Sequence, residues 1–292
     1  MTGVSTEKPR MVVFAGPNGS GKSTLTRELA RREKIPSAYI NADDIARIEL
    51  GHIPDALQRN MEAAKLAEQR RRDALASGQS FTFETVMSTP GKLAILQEAR
   101  ARGFQVELMF VTTLDAAINI DRVANRAALG GHAVAPAAVR ERYGRTMRLL
   151  PSAVGLADRA DVFDNSSPRM LRVAMKRDGA LAPLNTDKAP AWVQERLVAP
   201  CRERAAARSR METACRQHAT GQPCVLHGAD IRHGQSYCGV VVDADEQYIL
   251  QCTGANTYLL HDRALCPPVS FNRGASATFP YFYEKGGKHR AG

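Results

Sequence analysis

Two alternating rhythms of apolar residues run through the first 175 positions. Short apolar or alternating runs at residues 11–15, 37–42, 80–85, 105–111 and 160–164 have the lengths and β-branched or aromatic content of buried strands. Between them the apolar positions recur every three or four residues, the spacing of a helix with one buried face. Leu25, Leu29 and Ala30 mark one helix. Leu57, Met61, Ala64, Ala67 and Leu75 mark a long second one over residues 55–76, with Arg70, Arg71, Arg72 and Asp73 turned outward and Gly78 ending it. Leu93, Leu96 and Ala99 mark a third, opened by Thr89-Pro90 and stopped by Gly103. Strands alternating with helices predict an α/β fold with a parallel five-stranded sheet covered on both faces.

After residue 175 the rhythm changes. Residues 176–200 contain Pro183, Pro190 and Pro200 with little periodicity and read as a linker with a short helix near Trp192, followed by a polar helix over 201–218. Five short runs at 225–228, 236–243, 246–253, 256–261 and 277–283 predict a small all-β module. The expected organisation is therefore a domain over residues 1–178, a linker and basic helix over 179–222, and a β module over 223–292.

The chemistry is concentrated where the first strand meets the first helix. Gly16, four residues, then Gly21-Lys22-Ser23 form a phosphate-binding loop in which backbone N–H groups wrap the phosphates of a nucleotide. Its nucleotide-binding residues are Gly16, Asn18, Gly19, Ser20, Gly21, Lys22, Ser23 and Thr24. Lys22 reaches the β and γ phosphates, and the Ser23 hydroxyl is a ligand for Mg²⁺. The expected donor is ATP or GTP.

Carboxylates stand at the ends of the second and third strands, where open α/β sheets bind ligands. Asp43 is a candidate base for an incoming hydroxyl, and of the pair Asp43 and Asp44 one is expected to cap the following helix. Glu84, followed by Thr85, can hold a water on Mg²⁺ or fix a substrate hydroxyl. Between the fourth and fifth strands, residues 115–150 read as two helices broken at Gly130-Gly131-His132. They carry Arg122, Arg126, Arg140, Arg142, Arg145 and Arg148 with Glu141 the only acid among the positions 122–148. A hinged pair of arginine-bearing helices suits a lid that supplies positive charge to a transferred phosphoryl group, with Arg122, Arg126 and Arg142 as the candidates.

The formal net charge of +10 has a second focus, six arginines between Arg196 and Arg216 facing Glu203 and Glu212, which is expected to be a solvated helix face. All six cysteines lie at or beyond Cys201 without metal-ligand spacing and read as small buried side chains. No apolar run has the length of a membrane span, and residues 1–10 lack the apolar centre of a signal peptide, so a cytoplasmic protein without membrane partners is expected.

The loop Gly16 to Thr24, the segment Ile40-Asn41-Ala42-Asp43-Asp44-Ile45, Phe83-Glu84-Thr85, and Arg122-Val-Ala-Asn-Arg126 followed by Gly130-Gly131-His132 together resemble the zeta-toxin family of phosphate-loop kinases over roughly residues 10–175. The resemblance implies phosphorylation of UDP-N-acetylglucosamine or a related sugar nucleotide. It also implies Asp43 as base, Glu84 as a substrate-seating group, Arg122 with Arg126 or Arg142 as charge stabilisers, and an antitoxin protein as partner. The arginine-rich lid with its Gly-Gly-His hinge departs from that of toxins neutralised by a separate antitoxin. Tyr237-x-Gly239-x-Val241-Val242, Leu250-Gln251 and Leu260-His261-Asp262 resemble a small β module at the ends of conjugative-plasmid proteins. The rival expectations are a nucleic-acid-binding plasmid maintenance factor with a nucleotide switch, and a kinase of another small-molecule hydroxyl. For the former, Tyr237, Tyr248, Tyr258, Arg232 and Arg263 are the candidate contacts, although tyrosines that close a small core are the better reading of the module.

Overall fold

In the computed structural model, which describes residues 7–129, 134–185, 187–220, 222–284 and 287–290, two sheets share most of one apolar core. The first sheet is built around β1 (Arg10–Ala15), whose residues from Met11 to Ala15 are completely buried. Alternate residues of a strand face opposite ways. Met11, Val13 and Ala15 accordingly join the larger core, whereas Val12 and Phe14 pack with Leu25, Ile35 and Val111 on the other face. A strand covered on both sides must be apolar throughout, which is why its sequence shows no alternation.

The strands follow the order β2 (Tyr39–Ile40), β3 (Phe81–Thr85), β1, β4 (Gln105–Thr112) and β5 (Arg159–Asp164), all parallel. The expected five parallel strands are therefore present, but the sheet has seven. β6 (Leu171–Arg177) and β7 (Ala180–Pro183) add an antiparallel hairpin to the β5 edge. The stretch expected as a linker thus begins as sheet. Pro183 sits at the last position of the outermost strand, where a missing N–H costs no ladder bond. Trp192 is buried and donates from Nε1 to Asp164 Oδ2 at 2.8 Å, drawing the following segment back onto the end of β5.

The helices are α1 (Lys22–Arg31), α2 (Ala42–Ile48), α3 (Ala56–Ser77), α4 (Ala94–Ala101), α5 (Ala116–Ala128), α6 (Pro136–Leu156), the short α7 (Ala191–Val193) and α8 (Ala199–His218), the last two joined by a wide π turn at Gln194–Val198. Asp55 caps α3 by accepting from Gln58 N at 2.6 Å, and Gly78 closes it at φ 71°. Its buried stripe runs through Ala63, Ala67, Ala74 and Leu75, small residues that let it lie close to its neighbours. Leu57 and Met61, expected inside, are 71% and 37% exposed. Pro136 begins α6, whose second half is core, with Met147, Leu150, Ala153 and Val154 buried. The two arginine helices are as expected, while the Gly130-Gly131-His132 hinge lies outside the described residues.

The second sheet has the order β12 (Ser276–Tyr281), β9 (Gln235–Ala244), β10 (Tyr248–Gly254), β11 (Thr257–Asp262) and β8 (Val225–Gly228), the five strands expected. One face, with Leu250, Tyr258 and Leu260, packs on Met211 and Cys215 of α8. The other contributes Val241, Ile249, Phe279 and Tyr281 to the core of the first sheet. Inside that face, His261 pairs through Nδ1 with Tyr281 OH at 2.8 Å and through Nε2 with Gln251 Oε1 at 3.0 Å, and burial lowers its pKa to about 4. The tyrosines therefore close the core. Tyr258 is 1% exposed, and Arg204 lies over Tyr248 at 5.0 Å while pairing with Asp262.

Gln97 of α4 bridges the two sheets, donating from Nε2 to Ala229 O at 2.8 Å and accepting from Ile231 N at 2.7 Å. Gln97→Ala leaves both backbone groups unpaired, and a loss of about 1–3 kcal/mol is expected in urea unfolding, together with faster hydrogen exchange at residues 229–231. Wild-type exchange there would show that the bridge does not hold the module.

Candidate functional site at the end of the first strand

The loop between β1 and α1 is confined from three directions. A Cβ on Gly16 (φ 144°) would lie 1.9 Å from Val111 O of β4, and one on Gly21 (φ 100°) would lie 2.3 Å from Asn165 Nδ2. These two positions admit only glycine, because no side chain fits and φ is positive. The neighbours that crowd the loop also hold it. Asn119 of α5 donates from Nδ2 to Asn18 O at 2.6 Å, and its Oδ1 accepts from Thr113 Oγ1. Asn165, just past β5, donates from Nδ2 to Ser20 O at 2.8 Å. Neither asparagine stands out in the sequence as a loop-holding residue. Only their positions just beyond β4 and β5 hint at it, since strand ends converge on the ligand crevice.

Lys22 is folded back over the loop, donating from Nζ to Gly16 O and Pro17 O, each at 2.9 Å. Burial lowers its pKa to about 8, with Arg126 pushing in the same direction and Glu84 and Asp43 opposing it. Arg126 and the two carboxylates therefore stand close enough to feel this ammonium. Among the described residues, Asn18 Oδ1, Ser20 Oγ and Arg122 Nη1 are buried without a hydrogen-bond partner. Buried polar atoms normally find partners, so the two orphans within the glycine loop suit a site built for a polar ligand.

Glu84 organises the neighbouring strand end. Its register partner in β1 is Phe14, two residues before Gly16. Its Oε2 accepts from Ser23 Oγ at 2.8 Å, and its Oε1 accepts from Thr26 Oγ1 at 2.8 Å and from Tyr39 OH at 2.7 Å. Tyr39 in turn accepts from Asn41 Nδ2 at 2.5 Å. A hydroxyl and a carboxylate at this separation are the hard oxygen donors that Mg²⁺ prefers, so Ser23, with Glu84 directly or through water, fits that ion.

Asn41 caps α2 by accepting from Asp43 N at 2.8 Å. Neither aspartate is the cap, contrary to expectation, because the helix already starts at Ala42 and leaves both in its first turn. Asp44 pairs with Arg47 at 2.9 Å. The exposed carboxylate of Asp43 has no hydrogen bond or ion pair among the described residues. The arginines divide in a way that helical spacing could not reveal. Arg126 on α5 stands near Lys22, Arg122 lies one turn before it on the same helix, and Arg142 lines a separate cavity with Thr85. Thr24, in the first turn of α1, donates from its backbone N to Gly21 O at 3.2 Å.

The zeta toxin family profile matches residues 2–180, more than half of the chain. The chain belongs to the zeta toxin family. A KfrB domain matches residues 236–289, which take in β10, β11, β12 and nearly all of β9. An uncharacterized protein of Haemophilus influenzae is 27% identical over 134 residues, spanning 46% of this chain and 92% of that protein. Among solved structures, AvrRxo1-ORF1:-ORF2 with ATP is similar at a TM-score of 0.50 and 16% identity, covering 62% of each chain. The PezAT chromosomal toxin-antitoxin system of Streptococcus pneumoniae is similar at a TM-score of 0.42 and 15% identity, covering 58% of this chain and 74% of that one. This zeta toxin family member is accordingly a kinase-like protein whose fold class implies a nucleotide donor and usually Mg²⁺. Among the described residues, no helix is long and apolar enough to cross a membrane.

Charge on Lys22 should control nucleotide affinity. Below pH 7 the amine is protonated and Mg-ADP affinity is expected to be level. As pH rises through about 8 the free protein loses the charge, so affinity should fall by up to tenfold per unit and binding should take up a proton, seen as a buffer-dependent enthalpy in calorimetry. Affinity level to pH 9.5 would contradict this.

Proposed function

We propose that this chain transfers the γ-phosphoryl group of ATP or GTP to a hydroxyl of a sugar nucleotide such as UDP-N-acetylglucosamine. The observation that carries the reading is the joining of the phosphate loop to two carboxylates of different character. Glu84 is bound to Ser23, whereas Asp43 is exposed and unpaired yet close enough to influence Lys22. An ATPase or switch needs the first carboxylate only. A second one, free to accept a proton at the end of β2, suits transfer to a bound hydroxyl.

In this mechanism the loop amides and Lys22 hold the β and γ phosphates. Ser23, with Glu84 directly or through water, would hold Mg²⁺, which would supply charge neutralisation to the phosphates. Asp43 accepts the proton of the acceptor hydroxyl as the acceptor oxygen–phosphorus bond forms, and the bond from phosphorus to the β-phosphate oxygen breaks, releasing ADP or GDP. Arg122 and Arg126 balance charge on the transferred group from the loop side, with Arg142 on the acceptor side. Asp44 and Thr85 border the acceptor. Residues 1–178 would carry this chemistry, 179–222 connect, and 223–292 form the module. A cytoplasmic setting and an antitoxin partner go with the reading. The internal tyrosines of the module and the pairing of Arg232 with Asp230 favour the kinase over a nucleic-acid-binding role.

Purified protein incubated with labelled ATP or GTP and a metabolite extract should label an acceptor that carries a sugar hydroxyl. Lys22→Ala and Asp43→Ala are each expected to lower transfer by about 10²–10⁴-fold, the range for a positioned base or phosphate-binding group. Nucleotide hydrolysis without any labelled acceptor, or undiminished transfer by Asp43→Ala, would overturn the reading.

A further inference from the structure

The second sheet touches the first domain at the loop after β3, beside the acceptor side of the proposed chemistry. Beyond β3, the loop of residues 86–89 leads to a 3₁₀ turn at Pro90–Lys92. Helix α6 holds the loop from one side, Thr146 Oγ1 donating to Val86 O at 2.9 Å and Arg145 Nε donating to Ser88 O at 3.2 Å. The far end of the module holds it from the other. Gly91 N donates to Gly287 O at 2.9 Å, and the two backbones are so close that a Cβ on Gly91 would stand 2.8 Å from Gly287 Cα. A Cβ on Gly287 (φ 82°) would stand 2.9 Å from Thr89 Oγ1. Tyr283 reinforces the contact by donating to Ile231 O at 2.8 Å beside the Gln97 bridge.

This contact places Lys288 on a cavity of about 370 Å³ together with Thr85, Lys92, Arg142 and Arg145. Among the described residues, four cations from three separate parts of the chain line it, and no carboxylate does. Glu141 partners Arg145 from the preceding turn of α6. Neither Arg142 nor Lys288 has an ion-pair partner among the described residues. Like charges gathered in one concavity repel one another unless an anion shares them, and the volume is that of a small-molecule site. Thr85, one of the residues that line the cavity, directly follows Glu84, whose carboxylate is bonded to Ser23.

We propose that the carboxy-terminal module forms one wall of the acceptor site, and that Lys288 binds a phosphate-bearing part of the acceptor there. The inference rests on the kinase reading, since it is that reading which makes this cavity the acceptor's. It assigns the module a part in substrate selection: a neutral sugar leaves Arg142 and Lys288 without a counter-charge, whereas a phosphate or diphosphate on the acceptor supplies one. Gly287 fixes the position of the adjacent Lys288 through the backbone contact, so the module must be docked for the wall to exist.

The test is calorimetric titration of the full chain, with the phosphate loop already filled by a non-hydrolysable ATP analogue and Mg²⁺. Inorganic pyrophosphate is expected to bind this filled protein, and uncharged N-acetylglucosamine far more weakly. Lys288→Ala should weaken pyrophosphate by about tenfold, the scale of one charge-assisted hydrogen bond, and Lys288→Arg should restore most of it. Circular dichroism and melting of each variant report that the fold is kept. Equal pyrophosphate affinity for Lys288→Ala and wild type, or no pyrophosphate binding to the filled wild type, would overturn the role of Lys288. If the ATP analogue itself fails to bind, the kinase reading falls first and the acceptor assignment with it.

Discussion

Everything in the first domain depends on the close approach of backbone to backbone where β1 turns into α1. The Val111 carbonyl occupies the space a side chain at Gly16 would need, and Asn165 does the same at Gly21. Such tight apposition fixes the course of the loop backbone around the phosphate position. It also requires that β4, α5 and the end of β5 already be in place, since they supply Val111, Asn119 and Asn165. The nucleotide site is thus a product of the assembled sheet, and its preorganisation comes from core packing on both faces of β1.

The same sheet explains how the chemistry is distributed. Parallel strands present their carboxyl ends on one edge, so β1, β2 and β3 deliver the phosphate loop, Asp43 and Glu84 to a common crevice. Burial makes Lys22 easier to deprotonate, and the nearby carboxylates partly restore its charge. Glu84 is held by three hydroxyls while Asp43 is left unpaired, so two carboxylates of similar origin acquire different characters from their neighbours alone.

The carboxy-terminal sheet is buried on both faces, one by α8 and the other by the core of the first domain. It is therefore more than an appendage on a flexible tether. Its contacts with α4 and with the loop after β3 reach the edge of the basic cavity, which couples the geometry of that cavity to the docking of the module.

Much of this was legible in the sequence because it is local. Apolar period, glycine spacing and capping residues act over a few positions, and they identified β1 to β5, the helices, the phosphate loop and all five strands of the second sheet. Local patterns also misled where a neighbour outweighed them. Leu57 and Met61 have helical spacing yet face outward, and a proline-rich stretch became a sheet edge because the exposed side of β6 could accept one more strand. The amino-acid sequence by itself determined which groups could bind phosphate, hold Mg²⁺ or take a proton, since those capacities belong to side-chain chemistry. Only the tertiary structure decided that Asn119 and Asn165 steady the loop, that Glu84 rather than Asp43 joins Ser23, and that Lys288 and Arg142 line one cavity. These contacts join residues tens to hundreds of positions apart, and no local rule specifies which distant groups will meet once the core has closed.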